Sequence, residues 1–294
     1  MARKQQLSHR TSIVSDEQKE DPLPAVALTE EIMFKLLSTE IAQQRGDWQT
    51  AFVTAMGLAQ ETRDPRIARR AAEIALSAKQ ADEALTAVRL WRALAPHSDE
   101  ATQYYVSLII LSDNLAEAKP LLEQRMREAR PQTRGLLAFQ MQRLLARAKD
   151  KTTAFAMLEE LMAPYSDLPE AHLALAQGAF AKGDSERAHH EAQLALKQKP
   201  DSELAALTLA QVTPNKIEAG KLLAAFLSHY PQAHDVRMAY ARMLVDQKQY
   251  KKARREFEVM LKEQPHDLTS LYALGVLAIQ SHDLAMAETY LTTY

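Results

Sequence analysis

His189 and His190 first invite a chemical reading, because an imidazole can bind metal or move a proton near neutral pH. Adjacent residues on a helix point in different directions, so the two cannot chelate together. Glu186 stands four residues before His190, which puts both on one helical face. A metal site needs further ligands, and none converge in the sequence. His229 and His234 flank Pro231 and read as exposed. The 294-residue chain has no cysteine, so thiol nucleophiles, disulfides and thiolate metal sites are excluded. No glycine-rich phosphate loop, nucleophile elbow or zinc-protease pattern occurs. The many carboxylates read as solvated partners of Lys and Arg. The expectation is therefore a non-enzyme, with no catalytic residue, no metal site and no cofactor.

The pattern that organises the chain is structural. Alanine recurs at Ala51, Ala84, Ala118, Ala154, Ala188, Ala219, Ala253 and Ala287, with gaps of 33, 34, 36, 34, 31, 34 and 34 residues. Each alanine follows a turn and opens an apolar helical stripe. The turns include Gly46-Asp47-Trp48, Asp113-Asn114-Leu115, Lys149-Asp150, Gly183-Asp184, Gln249-Tyr250 and His282-Asp283-Leu284. Glycine can end a helix in the left-handed conformation, and Asp or Asn can cap the next one. Proline cannot continue a helix, and Pro65, Pro96, Pro131, Pro164, Pro200, Pro231 and Pro265 punctuate the segments. A period near 34 residues is the mark of a helical-repeat solenoid. The segment at Ala219 is about three residues short, with Thr213-Pro214-Asn215 in place of the usual turn, which predicts a clipped first helix. The segment at Ala154 is long, with the excess expected at Ala163-Pro164-Tyr165-Ser166.

These residues resemble the tetratricopeptide repeat family. From Pro169 to Pro200 the match runs through Leu175, Ala176, Gly183, Asp184, Ala188, Ala192, Ala195, Leu196 and Pro200. From His234 to Pro265 it runs through Tyr240, Ala241, Leu244, Tyr250, Ala253, Phe257, Leu261 and Pro265. The last segment carries Leu274-Gly275, Asp283, Leu284 and Ala287. The resemblance covers roughly residues 30 to 294. It implies an all-α, right-handed superhelical solenoid of about eight antiparallel helix pairs. Small residues such as Ala188 and Ala253 would sit where two helices of a hairpin approach closely.

The resemblance also implies a groove lined by the first helix of each pair. Carried over by register, its positions are Arg66, Arg69 and Glu73, then Gln103 and Ser107, then Phe139, Arg143 and Arg147. They continue with Leu173, Gln177 and Phe180, then Met238 and Arg242, then Tyr272. The arginines suit the carboxylates of an acidic protein or peptide partner, unless neighbours such as Glu73 and Asp235 already pair with them. Family members that clamp a C-terminal carboxylate use asparagines at set groove positions. Here Arg69, Glu73, Gln103 and Phe139 stand near those positions, so that clamp is not expected.

Lys and Arg number 36 against 38 Asp and Glu, a net charge of −2, which argues against nucleic-acid binding. No apolar run reaches the length of a membrane span. Residues 1–28 read as a polar, linker-like tail without an export signal, and residues 29–294 as the solenoid. The final repeat stops inside its second helix, which leads to the expectation of a fragment of a longer protein. Its uncapped face at Leu271, Leu274, Leu277 and Leu291 would then favour self-association. The stretch from Thr29 to Pro96 is also similar to the opening of long envelope-associated bacterial repeat proteins. Cytoplasm and periplasm both stay open as locations. Two functional classes follow. One is an interaction scaffold, in envelope assembly on the narrower resemblance. The other is the adaptor region of a larger enzyme such as a glycosyltransferase.

Overall fold

The computed structural model describes residues 21–112 and 114–294. Sixteen α-helices and one short 3-10 turn account for the regular structure of these residues. They are α1 (Glu30–Gln44), α2 (Trp48–Thr62), α3 (Pro65–Ser77), α4 (Ala81–Leu94) and α5 (Asp99–Leu111), then α6 (Leu115–Glu128), α7 (Pro131–Leu145) and α8 (Lys151–Met162). After the turn at Ala163–Tyr165 come α9 (Pro169–Lys182), α10 (Ser185–Gln198), α11 (Glu203–Val212) and α12 (Lys216–His229). The last four are α13 (His234–Asp246), α14 (Tyr250–Glu263), α15 (Leu268–Gln280) and α16 (Leu284–Thr293).

The chain divides into two compact units, the first ending at Asn114 and the second beginning at Leu115. In the first unit α1 pairs with α2 and α3 with α4, and α5 packs on α4. In the second, α7–α8, α9–α10, α11–α12, α13–α14 and α15–α16 form five successive hairpins, with α6 against α7 and α8. The first helices α7, α9, α11 and α13 also touch one another in succession. Each hairpin covers the apolar side of its neighbour. Leu274 and Leu277 of α15, for example, complete a core with Ala241, Leu244, Ala253, Phe257 and Met260.

The hairpin turns follow from local chemistry. Gly46, Lys79, Gly183, Lys248 and His282 all take positive φ two residues before a second helix. The next N–H then reaches back to the first helix, as in Asp184 to the Ala179 carbonyl at 2.9 Å and Gln249 to the Leu244 carbonyl at 2.8 Å. That bond closes the first helix, and Asp47, Asp184 and Asp283 cap the second through their side chains. Lysine or histidine fills three of these five left-handed positions, so glycine was only a partial guide to them. Asp113 of the third expected turn lies outside the described residues. Pro65, Pro131 and Pro169 open first helices at N1, where the missing N–H costs nothing. For Pro65 and Pro131 this refines the expected role of closing a segment. The clipped helix is α11, with 10 residues, and the expected excess after α8 is the 3-10 turn.

Residues 21–28 carry no helix, and Thr29 caps α1 by accepting from the Ile32 N–H. Residues 1–20 of the expected tail lie outside the described part. Among the described residues no helix is long and apolar enough to cross a membrane.

Candidate functional site

In the first unit the predicted groove residues meet acids of the same unit. Arg69 donates to Glu73 at 3.0 Å and forks onto Glu100 of α5, at 2.9 and 3.0 Å. Its guanidinium also lies 5.6 Å from the ring centre of buried Trp91. Arg66 pairs with its own N-cap, Asp64, at 2.6 Å. Arg70 of α3 pairs with Glu40 of α1 at 2.6 Å. Ion pairs thus link α1 to α3 and α3 to α5, and they use up the positive charge that the sequence offered to an acidic ligand. Gln103 is exposed, on α5. Arg66, Arg69 and Trp91 line a cleft of about 520 Å³ with Pro65, His97, Glu100, Asp21 and Leu23.

In the second unit the charges stay available. Arg143 on α7 and Arg242 on α13 are exposed and have no ion pair among the described residues. Gln177 on α9 follows Arg143 by 34 residues, and Gln211 on α11 follows Gln177 by the same interval. Arg242 follows Gln211 by 31, the shortening matching the clipped repeat. The result is a polar strip at one register of four helices that pack in succession. Gln177 and Phe180, the latter 43% exposed, line a cavity of about 220 Å³ with Thr208, Gln211 and Val212.

Four predicted positions come out differently. Arg147 lies past the end of α7, in the turn leading to α8, because that helix closes at Leu145. Leu173 is buried core, and half-buried Phe139 packs against it with Ala195 and Ala205. Met238 packs into the core shared by the last two hairpins, whereas Tyr272 is 55% exposed on α15. Arg69 belongs to the first unit, and Arg143 and Arg147 to the second.

One regularity decides the fold type. Each of the eight recurring alanines is the fourth residue of a second helix, from Ala51 in α2 to Ala287 in α16. All eight are buried, six of them with no exposed surface. The period of the sequence is thus the period of a buried small residue one turn into each second helix. The fold is of the tetratricopeptide repeat type. No protein-family model matches the chain, and no curated protein does. Among solved structures, a crystal structure of MamA is similar over 49% of this chain and 86% of its own, at 14% identity and a TM-score of 0.41. The MamA RS-1 ArsTM double mutant covers 54% and is covered over 91%, at 17% identity and 0.42. Yeast Tom70 covers 90% and is covered over 68%, at 13% identity and 0.39. Likeness at these scores carries no argument about function, which rests on the residues of this chain.

The sequence reading missed the buried ionisable groups of the tetratricopeptide hairpins. His172 of α9 places Nδ1 2.6 Å from Glu191 of α10, and its Nε2 donates to the Ser166 carbonyl at 3.0 Å. A carbonyl only accepts, so Nε2 carries a proton. Arg187 holds the other oxygen of Glu191 at 2.9 Å. Two repeats on, Arg237 donates to Glu256 at 2.6 Å and to the Pro231 carbonyl at 2.6 Å. Both pairs span 19 residues, and both His172 and Arg237 reach a carbonyl six residues upstream. Each therefore ties a first helix to its second helix and to the preceding turn. Two acid–base pairs at one register were the available signal. The adjacent His189–His190 pair carried the chemical signal instead. Among the described residues no group of three or more acidic or histidine side chains is placed to hold a metal.

Proposed function

We propose that the chain is a non-enzymatic scaffold that holds an extended or helical segment of a partner protein on the first helices of its second unit. The observation that supports this is the strip Arg143–Gln177–Gln211–Arg242, exposed except at half-buried Gln177, beside Phe180 and its cavity. Regularly spaced side-chain amides and two unpaired guanidiniums can bond a partner's backbone and carboxylates, while Phe180 gives apolar contact. The partner is acidic where it meets Arg143 and Arg242. The first unit contributes Arg66, Arg69 and Gln103 less directly, since its arginines are already neutralised. The envelope role, and the alternative of an adaptor region in a glycosyltransferase, rest on the sequence resemblance alone.

The test is capture of partners from the source cells by variants of the full chain. Arg143→Ala with Arg242→Ala should lose at least about tenfold in capture, as expected when two charge-assisted contacts go. Lys251→Ala with Arg255→Ala on α14 should change little; Arg254 is a poor control because it pairs with Glu258 at 2.8 Å. Loss with the α14 pair and retention with the strip pair would move the site to the second helices.

A further inference from the structure

The first unit's cleft is already in contact with a segment of its own chain. Asp21 lies 76 residues before His97, yet its carboxylate accepts from the His97 backbone N–H at 2.9 Å and faces His97 Nδ1 at 2.8 Å. The Asp21 side chain is only 10% exposed. His97 stands in the turn between α4 and α5, just before Ser98, the N-cap of α5. Leu23 follows into the cleft beside Trp91, Arg66 and Arg69. The segment reads Asp21-Pro22-Leu23-Pro24. Each proline pushes the residue before it toward extended backbone, so the segment loses little freedom on docking.

The hold is partial. Leu23 stays 54% exposed, and two hydrogen bonds with one half-buried leucine make a weak anchor. The cleft arginines are matched by Asp64, Glu73 and Glu100, so they do not select the carboxylate. His97 selects it, through one main-chain and one side-chain donor. The recognition element is therefore a carboxylate two residues before an apolar side chain on an extended backbone.

We propose that this cleft is a binding site for an extended partner segment of that chemistry, and that Asp21–Leu23 fills it in cis. A partner gains the site by displacing the strap, and a larger apolar side chain than Leu23 would fill the cleft better. This rests on the scaffold reading but uses a different unit, so the two can fail separately.

The experiment uses the full chain and a labelled, end-blocked peptide of residues 21–28, Asp-Pro-Leu-Pro-Ala-Val-Ala-Leu, followed by fluorescence anisotropy. A strap docked nine-tenths of the time lowers apparent affinity about tenfold. The strap variant Asp21→Ala with Leu23→Ser should therefore bind the peptide about tenfold more tightly than the native chain. Adding His97→Ala to that variant should weaken binding, and so should a peptide with Asn for its Asp. Circular dichroism of each variant checks that the helices are intact. Equal affinity for native and strap variant, no binding by either, or equal binding of the Asn peptide would each overturn the proposal. If it is overturned while capture still depends on Arg143 and Arg242, the scaffold reading survives. If the peptide binds as expected but capture ignores the strip, only the strip assignment fails.

Discussion

Ala188 and Ala253 have no exposed surface, and each N–H donates to the carbonyl four residues back, that of Asp184 and of Gln249, at 3.0 Å. A larger side chain there must be fitted into the packed hairpin, since neither position has free surface. Replacing either by leucine forces the hairpin open or the side chain off its rotamer, at a cost of about 1–3 kcal/mol. Thermal and urea unfolding of Ala188→Leu and Ala253→Leu should both show this loss. Unchanged melting of both variants would mean that the alanines do not mark the contact. The same scale explains why lysine is tolerated at Lys79 and Lys248. Their left-handed backbone is strained, and the bond that closes each helix holds it in place.

A hairpin is the element that the buried ion pairs secure. Glu191 is almost fully buried and holds both His172 and Arg187. Removing it leaves a buried ring nitrogen of His172 without its hydrogen-bond partner, so Glu191→Ala should cost about 1–3 kcal/mol. Glu256 is more exposed than Glu191, so Glu256→Ala should cost less. Chemical denaturation of the two variants gives the comparison, and a larger loss for Glu256→Ala would contradict it. In the first unit the acids set a pH dependence. The Arg66 guanidinium, with lesser help from the Arg66 N–H, holds the Asp64 carboxyl below its usual value of 3.8. Arg70 does the same for Glu40. A lowered folded pKa means that the unfolded chain takes up protons first as pH falls. The stabilisation is thus complete above about pH 5 and is lost on acidification through the range of the folded carboxyls. Between pH 5 and pH 3 the native chain should lose melting temperature more steeply than Asp64→Asn with Glu40→Gln. Parallel curves would mean that these pairs add nothing. The Glu40 share is small, since that carboxyl is half exposed.

Among the described residues, two helices each expose a group of large apolar side chains. In the first unit α1 exposes Met33, Phe34, Leu37 and Ile41. In the second, α15 exposes Leu268, Tyr272, Val276 and Ile279. This corrects the expected face, because Leu271, Leu274 and Leu277 are buried and only Leu291 of that set is exposed. Packing of α15 on α14 and α16 covers those three, and the stripe one side further round stays open. The same register one repeat earlier, Met238 and Val245, packs into the core that includes Leu274 and Leu277. The open stripe is thus the surface a further hairpin would cover. Self-association was expected from the sequence through the other face; through this stripe it predicts a sedimentation coefficient that rises with concentration. Tyr272→Glu with Ile279→Glu should abolish the rise, and a native chain monomeric at high concentration would refute the idea.

The alanine spacing, the turn residues and the proline positions were enough to place helix pairs along almost the whole chain. Those features act within a few residues of themselves: a methyl group permits a close contact, an aspartate caps the next turn, a proline opens a helix. The clipped α11 and the extra turn after α8 were legible for the same reason. Which charged side chains remain free was not legible. Arg69 and Arg143 look alike in one dimension, but Glu100, 31 residues away, neutralises the first, while the second has no ion pair among the described residues. His172 meets Glu191 and Asp21 meets His97 only when helices and strap come together. Repeat period is set by local sterics and backbone hydrogen bonding, so the sequence alone determined it. Charge pairing depends on distances between residues far apart along the chain, and only the tertiary structure decided those.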